Sequence, residues 1–572
     1  MKTVTKTRSG LLKLAMAVGL AGTFSGTVAA QEAPQPGGTL NVISIYHTLD
    51  AVTWDTTKWN WKANHDMLFM DQLLMGDLDK GPRGSDENNF VAQAYIAPEH
   101  YRGDLAESWE VKEDPLRIVF NLREEVYWPA KEGVMERRKF VAEDVVNHFE
   151  VMAESDRYIP TYWDFIDRWE AKDEHTVVAH LNTFNANWGY LIAWGYYSGI
   201  MPPEWHALGE SERADWHNAV GTGAYQLVDV QNGRQQVYED NEEFWGTTEI
   251  DGESYDLPFT DRLIYHIVKD ELSAISMLRS GRADINESVR WQFVEELKQT
   301  APELNFNKVL KTEGTFIALR MDKPPFDDVR VRRAMNLAVD QKAIQASLLN
   351  GEGALLNYPF SQRWDELYVP IEELAPAGQA LFDHDTEKAK ELLAEAGYAE
   401  GLDFTLQVCS CDPYHVDMVA MLQAYYQMAG INMTIDTLEY GAFRSQMRND
   451  NQAVAYLMDN GEGNPFSVLR KSYRTDQTWN PSFMADEAFD QKWTAALQQM
   501  DEAKQNQMLK EMNRYIIEEA VPQVWLPTQS FYVAWWPWVK NYHGELRVGA
   551  VRPGPIYAET WIDEELKEEM GY

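Results

Sequence analysis

The sequence predicts an α/β protein of two lobes, on three observations. Residues 404–436 read as strand, helix, strand at the spacing of a parallel βαβ unit. The chain beyond residue 30 is longer than one hydrophobic core ordinarily serves. An apolar, proline-interrupted run, Val521-Pro522-Gln523-Val524-Trp525-Leu526-Pro527, lies close to the C-terminus. A chain that leaves one lobe and returns to it at its end crosses the gap twice, which permits closure and limits free rotation.

The elements follow in order. Lys2, Lys6, Arg8 and Lys13 precede an apolar, small-residue stretch from Leu14 to Val28 that ends in Val28-Ala29-Ala30. This is the pattern of a secretory leader, residues 1–30, cut after Ala30. Gly, Thr and Ser interrupt it too soon for a membrane-spanning helix. No cysteine follows the cut, so a free periplasmic form is expected rather than a lipid-anchored one. Gly37 to Ile43 reads as a first strand, followed by Trp54, Trp59 and Trp61. Asp77 to Asn88 is loop chemistry. Arg117 to Leu122 alternates as a strand, and Glu143 to Phe149 opens a helix. Asp327 and Asp328 stand at a helix start, with Val331, Met335, Ala338 and Val339 at helical spacing. Asp340 begins a second helix. Asp385 caps a third, which Gly397 stops. Phe404 to Val408 is a strand, a helix runs from about 416 to 429 and stops at Gly430, and Ile431 to Asp436 alternates again. There is no internal repeat.

The full chain carries 51 Lys+Arg against 90 Asp+Glu. Loss of the leader leaves 47 against 90, a formal net charge of −43. Such a surface repels nucleic acid and favours solubility. Cys409 and Cys411 are the two cysteines. A bridge across two residues is strained, and on a strand both thiols would share one face, so two thiols beside a cleft are expected. With His415 they could form a soft-metal site, but a closed site needs a further ligand, and no metal or cofactor is expected.

Several segments occur together in the order found in one family. They are Leu105-Ala106-Glu107-Ser108-Trp109-Glu110-Val111, Phe120-Asn121-Leu122-Arg123, Phe140 to Val146, Gly221-Thr222-Gly223-Ala224-Tyr225 and Asn241 to Gly246. Pro324 to Arg332 and Lys388 to Tyr398 complete the set. The chain resembles the extracellular solute-binding proteins of the peptide/nickel type, bacterial family 5, over nearly all of its mature length. That resemblance implies a two-lobed periplasmic-binding-protein-like fold (class II, large cluster C type) with an extra subdomain in lobe I. The expected bounds are 31–312 for lobe I with the insert at about 70–200, 313–526 for lobe II, and 527–572 for the return. It also implies capture of a peptide-like solute by lobe closure and delivery to the membrane permease of an ABC importer. Oligosaccharides, opine-like conjugates and chelated metals are the alternative ligands. One closing cleft needs no second copy, so a monomer is expected.

The same resemblance selects residues. Tyr456-Leu457-Met458-Asp459-Asn460-Gly461 matches a pocket segment in which the aspartate neutralises a ligand's α-ammonium, which makes Asp459, with Asn460, the leading candidate. A buried carboxylate facing an ammonium forms a charge-assisted bond. Asp459→Asn is then expected to weaken binding by about 2–5 kcal/mol. A DNG sequence is also a place for a turn or cap aspartate, the lesser alternative. Tyr456 and Tyr440 stand where relatives place pocket tryptophans, or serve as lobe-core aromatics. Asp412 precedes Pro413-Tyr414 where dipeptide binders carry an arginine for the ligand carboxylate. That departure disfavours a free dipeptide and leaves Arg444 or Arg448 as carboxylate partners. Tyr46, Trp59, Trp61 and Trp194 are first-lobe candidates for stacking against a sugar face, drawn from 21 tryptophans of which most pack cores.

A secreted glycosidase with paired carboxylates is the rival class. The sequence contains no HExxH, GxSxG, phosphate-loop or dinucleotide motif, and no catalytic residue is assigned.

Overall fold

The computed structural model describes residues 33–572 except 45–52, 59–66, 81–82, 84–89, 91–94, 197, 251, 365, 448–453, 462 and 478. The expected leader, Tyr46, Trp59, Trp61, Arg448 and most of the loop 77–88 therefore lie outside the described residues.

Along the chain, β1 (Thr39–Ile43) is followed by β2 (Ala106–Glu113), β3 (Leu116–Leu122), α1 (Ala142–Ala153), β4 (Ile166–Asp173) and β5 (Thr176–Leu181). Next come β6 (Tyr225–Gln231), β7 (Gln235–Asp240), β8 (Arg262–His266), α2 (Glu271–Arg279), β9 (Ile285–Val289), α3 (Trp291–Thr300) and β10 (Asn305–Leu310). The second half holds β11 (Gly314–Leu319), α4 (Val329–Leu337), α5 (Gln341–Leu349), α6 (Thr386–Glu395), β12 (Leu402–Cys409), α7 (Pro413–Met428) and β13 (Ile431–Leu438). It continues with β14 (Ala455–Asn460), α8 (Pro465–Tyr473), β15 (Gln523–Trp525) and β16 (Ser530–Trp535), and short elements follow to Glu569.

Three larger sheets organise these elements. The first has seven strands in the order β6-β7-β8-β1-β9-β16-β10, with β1 parallel to β8 and β9 at its centre. The second has five, β13-β12-β14-β11-β15, with β12 parallel to both β13 and β14. The third is the antiparallel sheet β2-β3-β5-β4 inserted between β1 and β6. The chain passes from the first sheet to the second between β10 and β11 and returns between β15 and β16. These two crossings run together: Lys311 N–H donates to the Gln529 carbonyl at 3.2 Å and Leu526 N–H to the Thr315 carbonyl at 3.1 Å.

The second sheet is apolar on both faces, as a strand layer covered on two sides must be. Phe316 and Ala318 of β11 point into one core while Ile317 and Leu319 point into the other. Helix starts follow the chemistry of their caps. Asp328, Asp340 and Asp385 each accept from a backbone N–H of the first turn, at 2.8, 2.9 and 2.9 Å. Gly397 and Gly430 end their helices with φ of +97° and +77°. The C-terminal segment is tied to the first sheet and its insert through buried arginines. Arg547 meets Glu287 at 3.0 Å, and Arg552 bridges Asp71 and Asp104. No helix among the described residues is long and apolar enough to cross a membrane.

Candidate functional site

A cavity of about 290 Å³ lies where the two sheets meet. Its first wall comes from the carboxyl ends of the parallel strands β1, β8 and β9 and from α2 and α3, the edge at which open α/β sheets place ligands. Its second wall is the crossing 309–313 with Cys411, Asp412 and Pro413 at the start of α7. Charged side chains of both signs line it: Lys269, Arg290 and Lys311 against Glu271, Glu313 and Asp412. Arg290 Nε stands 2.9 Å from Glu271 Oε1. Phe293 and Phe531 contribute aromatic surface, and no tryptophan is among the described lining residues.

Behind Lys311 sits an ionic cluster assembled by register. Pairing of β11 with β14 sets Thr315 opposite Asp459, and the Thr315 hydroxyl donates to Asp459 Oδ1 at 2.7 Å. Lys311 Nζ donates to Asp459 Oδ2 at 2.5 Å, and His415 Nε2 lies 2.9 Å from Oδ1. Asp412 Oδ2 is 3.9 Å from both the lysine and the histidine. Burial penalises the Asp459 carboxylate, yet Lys311 and His415 hold its pKa far below the usual range. Burial likewise opposes charge on Lys311 and His415, but Asp459 and Asp412 outweigh it and both pKa values lie above their ordinary ones. Glu313, beside them, is pushed upward by burial against the pull of Lys311. Asp412, His415 and Asp459 present ligand atoms within 4.8 Å of one another, a spacing that could hold a cation. The Lys311 ammonium already sets one there.

Asp459 and Asp412 are thus brought together at the lobe junction, while the other described candidates fall elsewhere. Asn460 ends β14 and donates to the Ser472 hydroxyl at 2.8 Å. Tyr456 is fully buried in a core of the second sheet, edge-on to Phe443, so of its two expected roles packing is the one found. Tyr440 is 55% exposed, with the Arg444 guanidinium 5.4 Å from its ring centre. Trp194 is a correction. It is 1% exposed and packs on Tyr190 and Tyr101 in the first core, so it offers no face to a sugar. The cysteines are a second correction, because Cys409 and Cys411 form a disulfide. The reason is local: β12 ends at Cys409 and the chain turns through Ser410, which brings the two Cα atoms within 5.1 Å. The expectation of a shared strand face did not allow for that turn. Asp412 caps α7, accepting from Tyr414 N–H at 2.9 Å.

Sequence reasoning did not single out Lys311, Thr315, Asn286 or Arg290. They lie in ordinary strand and loop contexts, and only the pairing of distant segments makes them neighbours.

A family model described as bacterial extracellular solute-binding proteins, family 5 Middle, matches residues 100–479. Di/tripeptide-binding protein 1 of Pseudomonas aeruginosa is 28% identical, with 73% of this chain and 79% of that protein covered. Heme-binding protein A of Haemophilus influenzae is 26% identical, with 63% of this chain and 67% of that protein covered. Among solved structures, the periplasmic DppA of Helicobacter pylori in complex with peptide STSA superposes with a TM-score of 0.74 at 19% identity. That superposition covers 92% of this chain and 99% of the other, a likeness of fold.

Proposed function

The chain belongs to the bacterial extracellular solute-binding proteins of family 5, and from that premise we propose that it captures a short peptide or peptide-like solute between its lobes. The observation that carries this reading is the lining of the cavity. Side chains of both charge signs suit a ligand that carries both, and the absence of tryptophan from the described lining disfavours sugar stacking. Relatives named for di- and tripeptide binding, such as that of Pseudomonas aeruginosa, support it.

In this reading residues 1–30 direct export to the periplasm. Lobe I runs over 31–312 with its insert at about 70–200, lobe II over 313–526, and 527–572 return to lobe I. Closure about the paired crossings encloses the solute, and the closed monomer docks on the permease subunits of an ABC importer. The protein binds and hands over its solute without changing it, as a binding protein and not an enzyme.

Calorimetric titration of the mature protein with a panel of di- and tripeptides tests the reading. Saturable binding of at least one, lost when Ser288 in the cavity wall is replaced by Trp, is the expected result. Binding that survives Ser288→Trp would place the site elsewhere.

A further inference from the structure

Asp459 is the residue that the family resemblance assigns to a ligand's ammonium, but here it is satisfied from within the chain. Its two oxygens receive the Lys311 ammonium, the Thr315 hydroxyl and the His415 ring. Asp459 is not part of the cavity lining, whereas Lys311 is. Of this ion pair, therefore, it is the lysine and not Asp459 that the cavity wall presents to a solute.

A second, independent observation lies across the cavity on β9. Asn286 is 1% exposed and lines the same space. Its Oδ1 accepts from Ser288 N–H at 3.0 Å, which fixes the orientation of the amide. The Nδ2 group is buried and has no hydrogen-bond partner. Buried donors left unpaired are uncommon and costly, so a native one that lines a cavity marks the position of an absent acceptor.

We infer that the cavity receives the carboxylate end of its ligand, accepted by the Asn286 amide and the Lys311 ammonium, and that Asp459 serves to hold that lysine rather than to bind a ligand amine. The polarity of the site is thus the reverse of the one the motif implies. The acids of the lining are engaged within the chain: Glu271 faces Arg290, and burial raises the pKa of Glu313 against the pull of Lys311. Asp412 spends one lone pair on its helix. The inference rests on the reading of this cavity as the solute site.

The test compares trialanine, N-acetyl-trialanine and trialanine amide by calorimetry on the mature protein. The acetylated peptide is expected to bind within about threefold of trialanine and the amide at least tenfold more weakly. Asn286→Asp, which keeps the acceptor for Ser288 and replaces the donor, is expected to erase that preference. Loss on acetylation with no effect of amidation overturns the inference. If none of the three binds, the peptide reading fails, and thermal melting decides the polarity. Glutarate raising Tm in the wild type but not in Asn286→Asp, with 1,5-diaminopentane inert at matched ionic strength, sustains the inference. Stabilisation by the diamine, or no difference between the two, overturns it.

Discussion

The ion pair between Lys311 and Asp459 joins the crossing segment to the second lobe, and its members keep 24% and 13% of their side-chain exposure. Removing one partner of such a pair leaves a poorly solvated charge behind. Lys311→Met is expected to destabilise the protein by about 2–3 kcal/mol, at or below the bottom of the range of about 3–5 kcal/mol for buried pairs because some solvent still reaches both groups. Lys311→Met combined with Asp459→Asn is expected to recover more than half of that loss in urea unfolding. Additive losses would mean that the two side chains do not depend on each other. His415 adds a pH signature. Folding raises its pKa above the unfolded value near 6.5 through Asp459 and Asp412, against burial and Lys311. Its proton therefore stabilises the fold in full below that pH, and the contribution is lost as pH rises through the folded value. Asp459 runs the opposite way: its contribution is present above an unfolded value near 3.9 and is lost only in strong acid. His415→Gln is expected to cost more stability at about pH 6 than at about pH 9, and equal losses at both would contradict the coupling. Asp459 was legible as a single residue because its DNG setting matches a family segment. Lys311 was not, because nothing within ten residues of it announces an aspartate 148 positions away.

Among the elements, those with local causes were the legible ones. Helix starts at Asp328, Asp340 and Asp385 and stops at Gly397 and Gly430 follow from capping chemistry that acts over four residues. The parallel pair β12 and β13 followed from the strand–helix–strand spacing. The end of β12 was not legible to the residue, and that is why the turn that joins Cys409 to Cys411 went unforeseen. The Gly-Thr-Gly element before β6 has a physical reason that only the packing supplies. A Cβ built on Gly221 would stand 1.9 Å from the Phe69 carbonyl oxygen, a backbone atom that cannot rotate away. Gly223 approaches the same peptide and donates to that oxygen at 2.9 Å. Gly221→Ala is therefore expected to destabilise the first lobe by about 3 kcal/mol or more, as overpacking against backbone does. A midpoint of urea unfolding within experimental scatter of the wild type would show that the strand can shift without penalty.

Over the whole molecule the two crossings are short and hydrogen-bonded to each other, so the lobes can close but not swivel freely. Segments flanking the inserted sheet reach across the gap: Arg470 of α8 donates to the Tyr162 hydroxyl at 2.5 Å, and Ala186 N–H to the Leu497 carbonyl at 2.8 Å. The ordered family segments made this architecture legible. The cavity was not, because its walls come from residues 43–44, 268–293, 309–313, 411–413 and 529–531, which no local pattern unites. Trp194 misled for a related reason. Large aromatic surface is as useful to a core as to a sugar, and Trp194, Trp205, Trp525, Trp536 and Trp538 are all buried.

Capture of a peptide-like solute is the claim on which the account of function rests, and native mass spectrometry of gently purified mature protein tests it directly. A co-purified species whose mass and fragmentation are those of a short peptide is the expected result. A ladder of hexose masses, or a bound species with no peptide fragmentation, would contradict it.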